Sequence, residues 1–324
     1  RSPSRGLGDV YKRQISVSVK GLHHVSAITK EVLDNHDFYT KILGLRLVKK
    51  TVNQDETSMY HLFYADYKGT PGTDITFFEI GQSSKYQPGT NSISRTVFRV
   101  PSLNALEYFK ERFQENGVYT EGTIERFGYQ YMNFSDYENQ RLALIVDPEY
   151  NESQPFAGAD IPEEFAITGI KAVEVTVQYL KPMVLFLEML GGKVIGECDD
   201  ETIETEVKFG EDSIFIIENR TLQIEKEGFG SVHHFALRVR DEEDLKKILA
   251  IVNAEKWRNS GIVDRFYFKA VYIKAVGNIT VEISTEEPGF TVDERLEALG
   301  ESLSLPPDLE KDRDFIELYM IPIN

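Results

Sequence analysis

Four of the six histidines in this chain of 324 residues come as two adjacent pairs, His23-His24 and His233-His234. Each pair stands in a run of alternating apolar and polar residues, GLHHVSAIT and SVHHFALRV, that predicts a half-buried strand. A carboxylate, Glu282, follows in the strand-like run NITVEIST. Two histidines and one carboxylate, with nothing to complete a closed shell, are the ligand set of non-haem Fe(II) oxygen chemistry. The sequence therefore predicts such a metal site.

Strand geometry limits how many of the four histidines can bind one metal. Side chains alternate between the two faces of a regular strand, so adjacent histidines cannot point the same way. We therefore expect one ligand from each pair. The alternation by itself leaves open which member of a pair that is.

Composition excludes several other kinds of protein. The formal charge of −17 argues against nucleic acid or an anionic membrane as a partner, because both require a basic patch. A hydrophobic fraction of 41% with 11% aromatic residues predicts a globular core. No apolar run is long enough to cross a bilayer, and no signal segment opens the chain. The single cysteine, Cys198, agrees with a reducing compartment, so we expect a cytoplasmic location.

Internal repetition organises the chain. A strand, a helix and three further strands recur four times, and the four units open at GLHHVSAI, ISRTVFRV, GIKAVEVTV and VHHFALRV. This order predicts an α+β fold of four βαβββ units paired into two domains. The predicted division is a foreign N-terminal segment (1–14), a first domain (15–150), a linker (151–165), a second domain (166–290) and a C-terminal tail (291–324).

The two ends of the chain differ from the repeats. The segment RSPSRGLGDVYKRQ holds four basic residues and one acidic one, has no apolar periodicity, and resembles translated adaptor sequence. The tail contains the stretch VDERLEALGESL, which predicts a short amphipathic helix before Pro306-Pro307. We expect its leucines to pack back onto the core.

Several long motifs resemble one family. The stretches LGLRLVKKTVN, YHLFYAD, GTPGT, VHHFALRV, DRFYFKAVY and EEPGFTVDERLEALGE look like ring-cleaving dioxygenases of the vicinal oxygen chelate superfamily, also called the glyoxalase/bleomycin resistance/dioxygenase superfamily. Within it, the chain is most similar to the branch that opens hydroquinones. The resemblance spans about residues 20 to 312, and it implies paired βαβββ units that form curved, open barrels around a metal.

The resemblance also implies which residues bind the metal. The family pattern selects the second histidine of each pair, so His24, His234 and Glu282 are the expected ligands. The expected metal is Fe(II), with Mn(II) as the alternative. The matching corner on the last strand of unit one is expected at Phe77 or Phe78, which cannot bind a metal. If that strand carried a bulge, Glu79 would instead supply a fourth ligand.

Further site residues follow from the resemblance and from their chemistry. His23 and His233 match family positions near the substrate, and Ser26 could form a hydrogen bond in the same pocket. Arg265 and Tyr272 match positions that touch the substrate or the metal-bound oxygen. Such groups could accept a proton from a diol or stabilise negative charge on reduced dioxygen. Two histidines remain outside this set: His36 is expected to be exposed without a catalytic role, and His61 to be structural, with a site role as the alternative.

These expectations favour one function over two others. The first is an Fe(II)-dependent enzyme that inserts both atoms of O₂ into a hydroquinone or catechol, whose partners would be a small aromatic substrate and O₂. The second is a glyoxalase-like isomerase or lyase, which would need a fourth protein ligand. The third is a metal-free binding or resistance protein on the same fold. The sequence leaves homo-oligomer formation open.

Overall fold

The structure is a computed structural model that describes residues 19–149, 153–156, 160–196 and 198–323. The segment 1–14, which was interpreted as foreign, lies outside the described residues. None of the helices in the described ranges is long and apolar enough to cross a membrane.

Each of the four predicted units is present as one helix and four strands. Unit one comprises β1 (Gly21–Thr29), α1 (Val32–Asp37, continued by a π-helical turn, Phe38–Ile42), β2 (Arg46–Asn53), β3 (Glu56–Ala65) and β4 (Asp74–Glu79). Unit two comprises β5 (Ser92–Val100), α2 (Leu103–Glu115), β6 (Thr120–Arg126), β7 (Tyr129–Ser135) and β8 (Arg141–Val146). Unit three comprises β9 (Gly169–Val177), α3 (Leu180–Met189), β10 (Lys193–Ile195), β11 (Glu204–Phe209) and β12 (Asp212–Glu218). Unit four comprises β13 (Val232–Val239), α4 (Glu242–Ala254), β14 (Asn259–Asp264), β15 (Phe268–Lys274) and β16 (Thr280–Pro288). The predicted α+β fold is confirmed.

The units pair out of chain order. One eight-stranded sheet has the order β14-β15-β16-β13-β1-β4-β3-β2, so units four and one form it together. The second sheet has the order β10-β11-β12-β9-β5-β8-β7-β6 and contains units three and two. Each sheet is joined at its centre by an antiparallel pair of first strands, β1 with β13 and β5 with β9. Each sheet therefore takes strands from both sides of the predicted linker.

The helices cover the sheets through narrow apolar faces. In α4 the buried residues Leu245, Ile248 and Val252 recur at helical spacing. The side chain of Asp241 accepts a hydrogen bond from the backbone N–H of Asp244 and caps the start of this helix. Ser102 caps α2 in the same way through Ala105. The two caps fix where each helix begins, directly after the first strand of its unit.

A buried ionic cluster joins the two sheets. The Arg99 guanidinium on β5 is fully buried and contacts Asp147 at 2.9 Å and Asp212 at 2.6 Å. The second carboxylate oxygen of Asp212 accepts a hydrogen bond of 2.7 Å from the backbone N–H of Leu22, at the start of β1. Because Leu22 precedes the first histidine pair, this cluster ties the strand that carries the predicted site to the other sheet.

The C-terminal tail packs against the first sheet, as expected. The ammonium group of Lys49, fully buried on β2, binds the carboxylates of Asp293 and Glu294. Leu299 and Leu305 are buried. The predicted amphipathic helix is wrong, because the stretch forms only short 3₁₀ turns at Phe290–Val292 and Leu296–Ala298.

Tertiary contacts explain the loss of that helix. The Arg46 guanidinium donates hydrogen bonds to the backbone carbonyls of Glu297 and Leu299, which a continuous α-helix would use internally. Gly300 then adopts a positive φ of 77°, and a Cβ at this position would lie 1.9 Å from the carbonyl oxygen of Leu47. The spaced leucines therefore pack the tail against the first sheet without forming an α-helix.

The ionic cluster gives a prediction about stability. Asp212→Ala leaves Arg99 with an incomplete set of partners and removes the acceptor for Leu22, so the free energy of unfolding should fall by about 3 kcal/mol. Denaturant unfolding monitored by circular dichroism measures this. Asp200→Ala is the matched control, because its ion pair with Lys181 lies at the surface and should contribute less than about 1 kcal/mol. Equal effects of the two substitutions would contradict the assignment.

Candidate metal centre and its cavity

Two mirrored bulges present the histidine pairs. In the β1–β13 ladder, Leu22 pairs with Leu237 and His24 pairs with Ala236, so His23 is an extra residue. Farther along, Ser26 pairs with His234 and Ala27 with Val232, so His233 is the extra residue on the other strand. A bulge changes the direction of side chains and is common beside active sites. Here each bulge brings both rings of a pair to the same side of the sheet.

The three predicted ligands converge on one point in the sheet. The Nε2 atoms of His24 and His234 lie 3.3 Å apart. The Oε2 atom of Glu282 lies 3.3 Å from the first nitrogen and 2.8 Å from the second. All three residues are buried, and within the described ranges they form the one group of three or more potential metal ligands. Metal–ligand bonds of about 2.0–2.2 Å produce ligand separations of this size.

Hydrogen bonds behind His24 determine which nitrogen carries its proton. The Nε2 atom of His23 lies 3.1 Å from the carbonyl oxygen of Thr285, which can only accept. Burial lowers the pKa of His23 to about 3, so this ring is neutral and carries its proton on Nε2. Its Nδ1 atom must then accept from the Nδ1–H of His24 at 3.0 Å. The Nε2 atom of His24 is left with a lone pair that faces His234 and Glu282.

The carboxylate of Glu282 is arranged as an anion with one oxygen unused. Ser284 donates a hydrogen bond of 2.5 Å to Oε1. Oε2 is buried and accepts no well-directed hydrogen bond from the described residues. Burial alone would raise the pKa of Glu282, but the adjacent His24 and His234 hold that pKa well below its usual range. Burial also lowers the pKa of His234 to about 4. A buried carboxylate oxygen that lies within 3.3 Å of two imidazole nitrogens fits a site for a divalent cation.

The fourth corner of the site is occupied by Thr76, and not by Phe77 or Phe78. On β16, Glu282 pairs with Ala236, which stands two residues after the ligand His234. The equivalent position on β4 is the residue that pairs with Ser26, because Ser26 stands two residues after the ligand His24. That partner is Thr76. The expectation differs because the register of β4 is set by its pairing with β1, which the sequence of β4 alone does not show. The conclusion that this corner lacks a strong metal ligand still holds.

The two residues expected at that corner lie elsewhere. Phe77 packs against Tyr39 on the outer face of the sheet, with ring centroids 4.6 Å apart. Phe78 lies on the inner face, one inward position beyond Thr76, and lines the cavity. Glu79 follows on the outer side and is half-buried outside the cavity wall, because β4 has no bulge in its pairing with β1. It therefore adds no fourth ligand.

A cavity of about 390 Å³ opens over the three converging residues. This volume suits a small organic molecule. Aromatic rings form much of its wall: Phe63, Phe78, Tyr267, Phe268 and Tyr272. Most of the remaining wall is polar, and part of it comes from the β2–β3 hairpin (Thr51, Asn53, Gln54 and Asp55) and from Arg265 between β14 and β15. The cavity thus combines a flat apolar space with polar groups at its edges.

Four of the five other predicted site residues line this cavity: Ser26, His233, Arg265 and Tyr272. The Nε–H of Arg265 donates a hydrogen bond of 3.0 Å to the Tyr272 oxygen, and its NH1 contacts Asp55 at 3.2 Å. Burial raises the pKa of Tyr272, so its phenol stays protonated. The Tyr272 ring stands at 85° to the His234 ring, with centroids 5.7 Å apart.

His23 is the exception among the predicted residues. It lies outside the cavity wall, between His24 and the Thr285 carbonyl. His233 occupies the mirrored position, with its Nδ1 2.7 Å from Nδ1 of His234, yet it faces the cavity. The two pairs are therefore similar in sequence and different in exposure.

Sequence reasoning missed Thr76 and gave a site role for His61 only as the alternative. Thr76 was missed because the register of β4 was unknown. His61 lines the cavity, although it was expected to be structural. The alternation in YHLFYA was a usable signal, because His61 and Phe63 share one face while the buried Tyr60 and Leu62 share the other. His36 is half-buried and lies at an outer cleft beside the tail, away from the three converging residues.

The second sheet has the same bulges without the ligands. Its bulged residues are Ser94 on β5 and Lys171 on β9. The positions that correspond to His24, His234 and Glu282 are therefore Arg95, Ala172 and Phe215. The Phe215 ring stacks on Phe127 at 4.1 Å and helps fill the space where a cavity would stand. The potential for metal chemistry thus lies in the first sheet.

Comparison with known proteins agrees with this geometry. A sequence model of the glyoxalase/bleomycin resistance protein/dioxygenase superfamily matches residues 21–148. MhqA of Bacillus subtilis (strain 168), which is named a ring-cleaving dioxygenase, is 45% identical over 95% of this chain and 100% of its own length. The chlorohydroquinone/hydroquinone 1,2-dioxygenase of Sphingobium indicum is 27% identical over 93% of this chain and 96% of its own length.

Solved structures extend the comparison to the fold. A crystal structure named as a dioxygenase from Bacillus subtilis has a TM-score of 0.89 at 31% identity, over 95% of this chain and 99% of that one. Glyoxalase I from Zea mays has a TM-score of 0.59 at 12% identity, over 82% and 92% of the two chains, and shares the fold alone. With four βαβββ units, two curved sheets and relatives that match along nearly its whole length, the chain belongs to the glyoxalase/bleomycin resistance protein/dioxygenase superfamily.

Proposed function

We propose that this chain is an Fe(II)-dependent ring-cleaving dioxygenase that acts on aromatic diols of the hydroquinone or catechol type. The observation that carries the proposal is a three-sided ligand set, His24, His234 and Glu282, whose fourth corner holds Thr76. Such a set leaves about three coordination positions for exchangeable ligands. The names of the relatives support ring cleavage as the reaction.

Bound Fe(II) would pass electrons from the aromatic ring to dioxygen. Both oxygen atoms enter the product as one ring carbon–carbon bond breaks, so the reaction needs no external reductant. The role of the protein side chains would be to orient the ring, to exclude competing ligands and to stabilise charge. The aromatic wall of Phe63, Phe78 and Phe268 provides a flat apolar surface for the ring.

The polar residues at the cavity edge support roles in charge stabilisation. If His234 presents a bare Nε2 to the metal, its Nδ1–H donates to Nδ1 of His233, whose proton is then on Nε2. We therefore propose His233 as a hydrogen-bond donor to a substrate oxygen, and not as a base. Tyr272 accepts from Arg265 and keeps its own hydroxyl hydrogen to donate. Together they would stabilise negative charge that builds on dioxygen as it is reduced.

The geometry argues against the two other functions. A glyoxalase-like isomerase would need a fourth strong ligand, and Thr76 is a poor substitute for a carboxylate. A metal-free binding protein has no need for a buried carboxylate that faces two imidazole rings, because burying an uncompensated charge is costly. Both remain as outcomes of the experiment that follows.

The direct test is oxygen uptake. Protein loaded anaerobically with Fe(II) is mixed with O₂ and either a substituted hydroquinone or the corresponding catechol. Uptake of one O₂ per diol with a ring-opened product is the expected result. Firmly bound iron without uptake on either diol would favour the isomerase, and a failure to bind iron would favour the binding protein.

The ligand assignment predicts the effect of single substitutions on metal content. His24→Ala, His234→Ala and Glu282→Ala should each remove bound iron and turnover, because two ligands cannot hold a cation that three hold. Iron per chain after gel filtration, measured by plasma emission spectroscopy, tests this. His36→Ala and Glu79→Ala are the controls, since both residues lie away from the converging ligands and should leave the iron content unchanged.

His23 generates a separate prediction about metal affinity. His23→Phe keeps an aromatic ring beside His24 but removes the acceptor for its Nδ1–H, so the affinity for the metal should fall by about 10- to 100-fold. Competition with a metal chelator measures that affinity. His23→Asn retains an acceptor and should recover part of the loss. An unchanged affinity in both variants would mean that packing alone orients His24.

A further inference from the structure

His61 lies in the aromatic wall of the cavity and has no part in metal binding or in the proposed charge stabilisation. The alternation of β3 directs His61 and Phe63 inward. The His61 ring lies between the Phe63 and Phe78 rings, with centroids 4.1 Å from each. A polar ring held between two apolar ones is costly to bury unless its nitrogen atoms find partners. The partners of His61 therefore indicate what it does.

One nitrogen of His61 is held and the other is unused. Nε2 lies 3.0 Å from the hydroxyl oxygen of Thr76, and that hydroxyl lies 2.7 Å from the hydroxyl of Ser26. These contacts form a polar chain that runs from the wall to the strand of His24. Among the described residues, Nδ1 of His61 has no hydrogen-bond partner, and it is not one of the buried nitrogen atoms without a partner. Nδ1 is thus left open to the cavity.

The position of His61 in the sheet determines what it can reach. The converging ligands lie on the neighbouring strands β16, β13 and β1, and β15 with Tyr272 borders them on one side. His61 lies on the other side, two strands beyond β1. Two strand spacings are about 10 Å. A ring that directs one oxygen toward His24 therefore has its far side nearer to His61 than that oxygen is.

We propose that His61 is a substrate-binding residue that forms a hydrogen bond with a polar group on the aromatic ring opposite the metal-bound oxygen. It would therefore favour 1,4-diols over 1,2-diols. A catechol directs both oxygens toward the metal and leaves Nδ1 unpaired in a desolvated wall, whereas a hydroquinone directs its second hydroxyl toward it. Sites built to pair with a substrate hydroxyl discriminate against analogues that lack it. This inference rests on the proposed function for the identity of the ring.

Anaerobic calorimetry on the Fe(II)-loaded full chain tests the proposal without turnover. The two probes are hydroquinone and phenol, which differ only in the remote hydroxyl. The unmodified protein should bind hydroquinone at least roughly tenfold more tightly than phenol, as one hydrogen bond allows. In His61→Phe this ratio should fall close to one, while the affinity for phenol stays within about twofold.

Two further variants separate recognition from folding. His61→Gln keeps a polar group that can pair with the remote hydroxyl and should recover part of the ratio. Thr76→Val removes the anchor of Nε2 without altering the cavity wall, and should lower the ratio less than His61→Phe does. Thermal unfolding and iron content of each variant identify any that fails to fold.

The outcomes distinguish this inference from the proposed function. An unchanged ratio in His61→Phe, or no preference for hydroquinone in the unmodified protein, overturns the inference, and oxygen uptake then stands or falls by its own measurement. A ratio that collapses in His61→Phe supports the inference, even if oxygen uptake on both diols fails and the dioxygenase proposal is abandoned.

Discussion

The antiparallel pairing of β1 with β13 is the constraint on which the rest of the structure depends. It joins the first unit of the chain to the last and forms the centre of one eight-stranded sheet. Its mirrored bulges at His23 and His233 fix which imidazoles face the site. The parallel partners β4 and β16 then supply the remaining corners, Thr76 and Glu282. A shift of this ladder by one residue would direct the ligands to the wrong face.

The electrostatics of the centre follow from burial. Glu282 is fully buried, and its uncommitted oxygen is close to two imidazole nitrogens. Removing a charge from water is costly, so such an arrangement is unfavourable unless a positive charge compensates it. The second sheet resolves its buried carboxylate differently. There Glu174 contacts Arg95, Arg126 and the Tyr131 hydroxyl, and the protein itself supplies the compensation. The two sheets have the same architecture, but only the second compensates its buried carboxylate with arginine side chains of the protein.

Much of this arrangement could be predicted from the sequence. The four βαβββ units and the candidate ligands were readable because strand alternation, helix periodicity and residue type are local properties. The bulges were not readable, because no glycine or proline adjoins His23 or His233 and a bulge exists only relative to a partner strand. For the same reason the fourth corner was expected at Phe77 or Phe78 and lies at Thr76. The tail helix failed because Arg46, distant in sequence, binds the carbonyl groups that the helix needed.

The separation of the ligands along the chain affects the order of assembly. His24 and His234 are 210 positions apart, and Glu282 lies on the last strand of unit four. During synthesis the first unit emerges with one of the three candidate ligands. Its strand β1 cannot pair with β13 until the fourth unit has been made. A single imidazole holds a metal weakly, so a partial chain would be a poor competitor for a metal ion. If the three residues bind a metal as proposed, the metal binds only after the whole chain has been made, and its binding energy stabilises only the fully assembled fold.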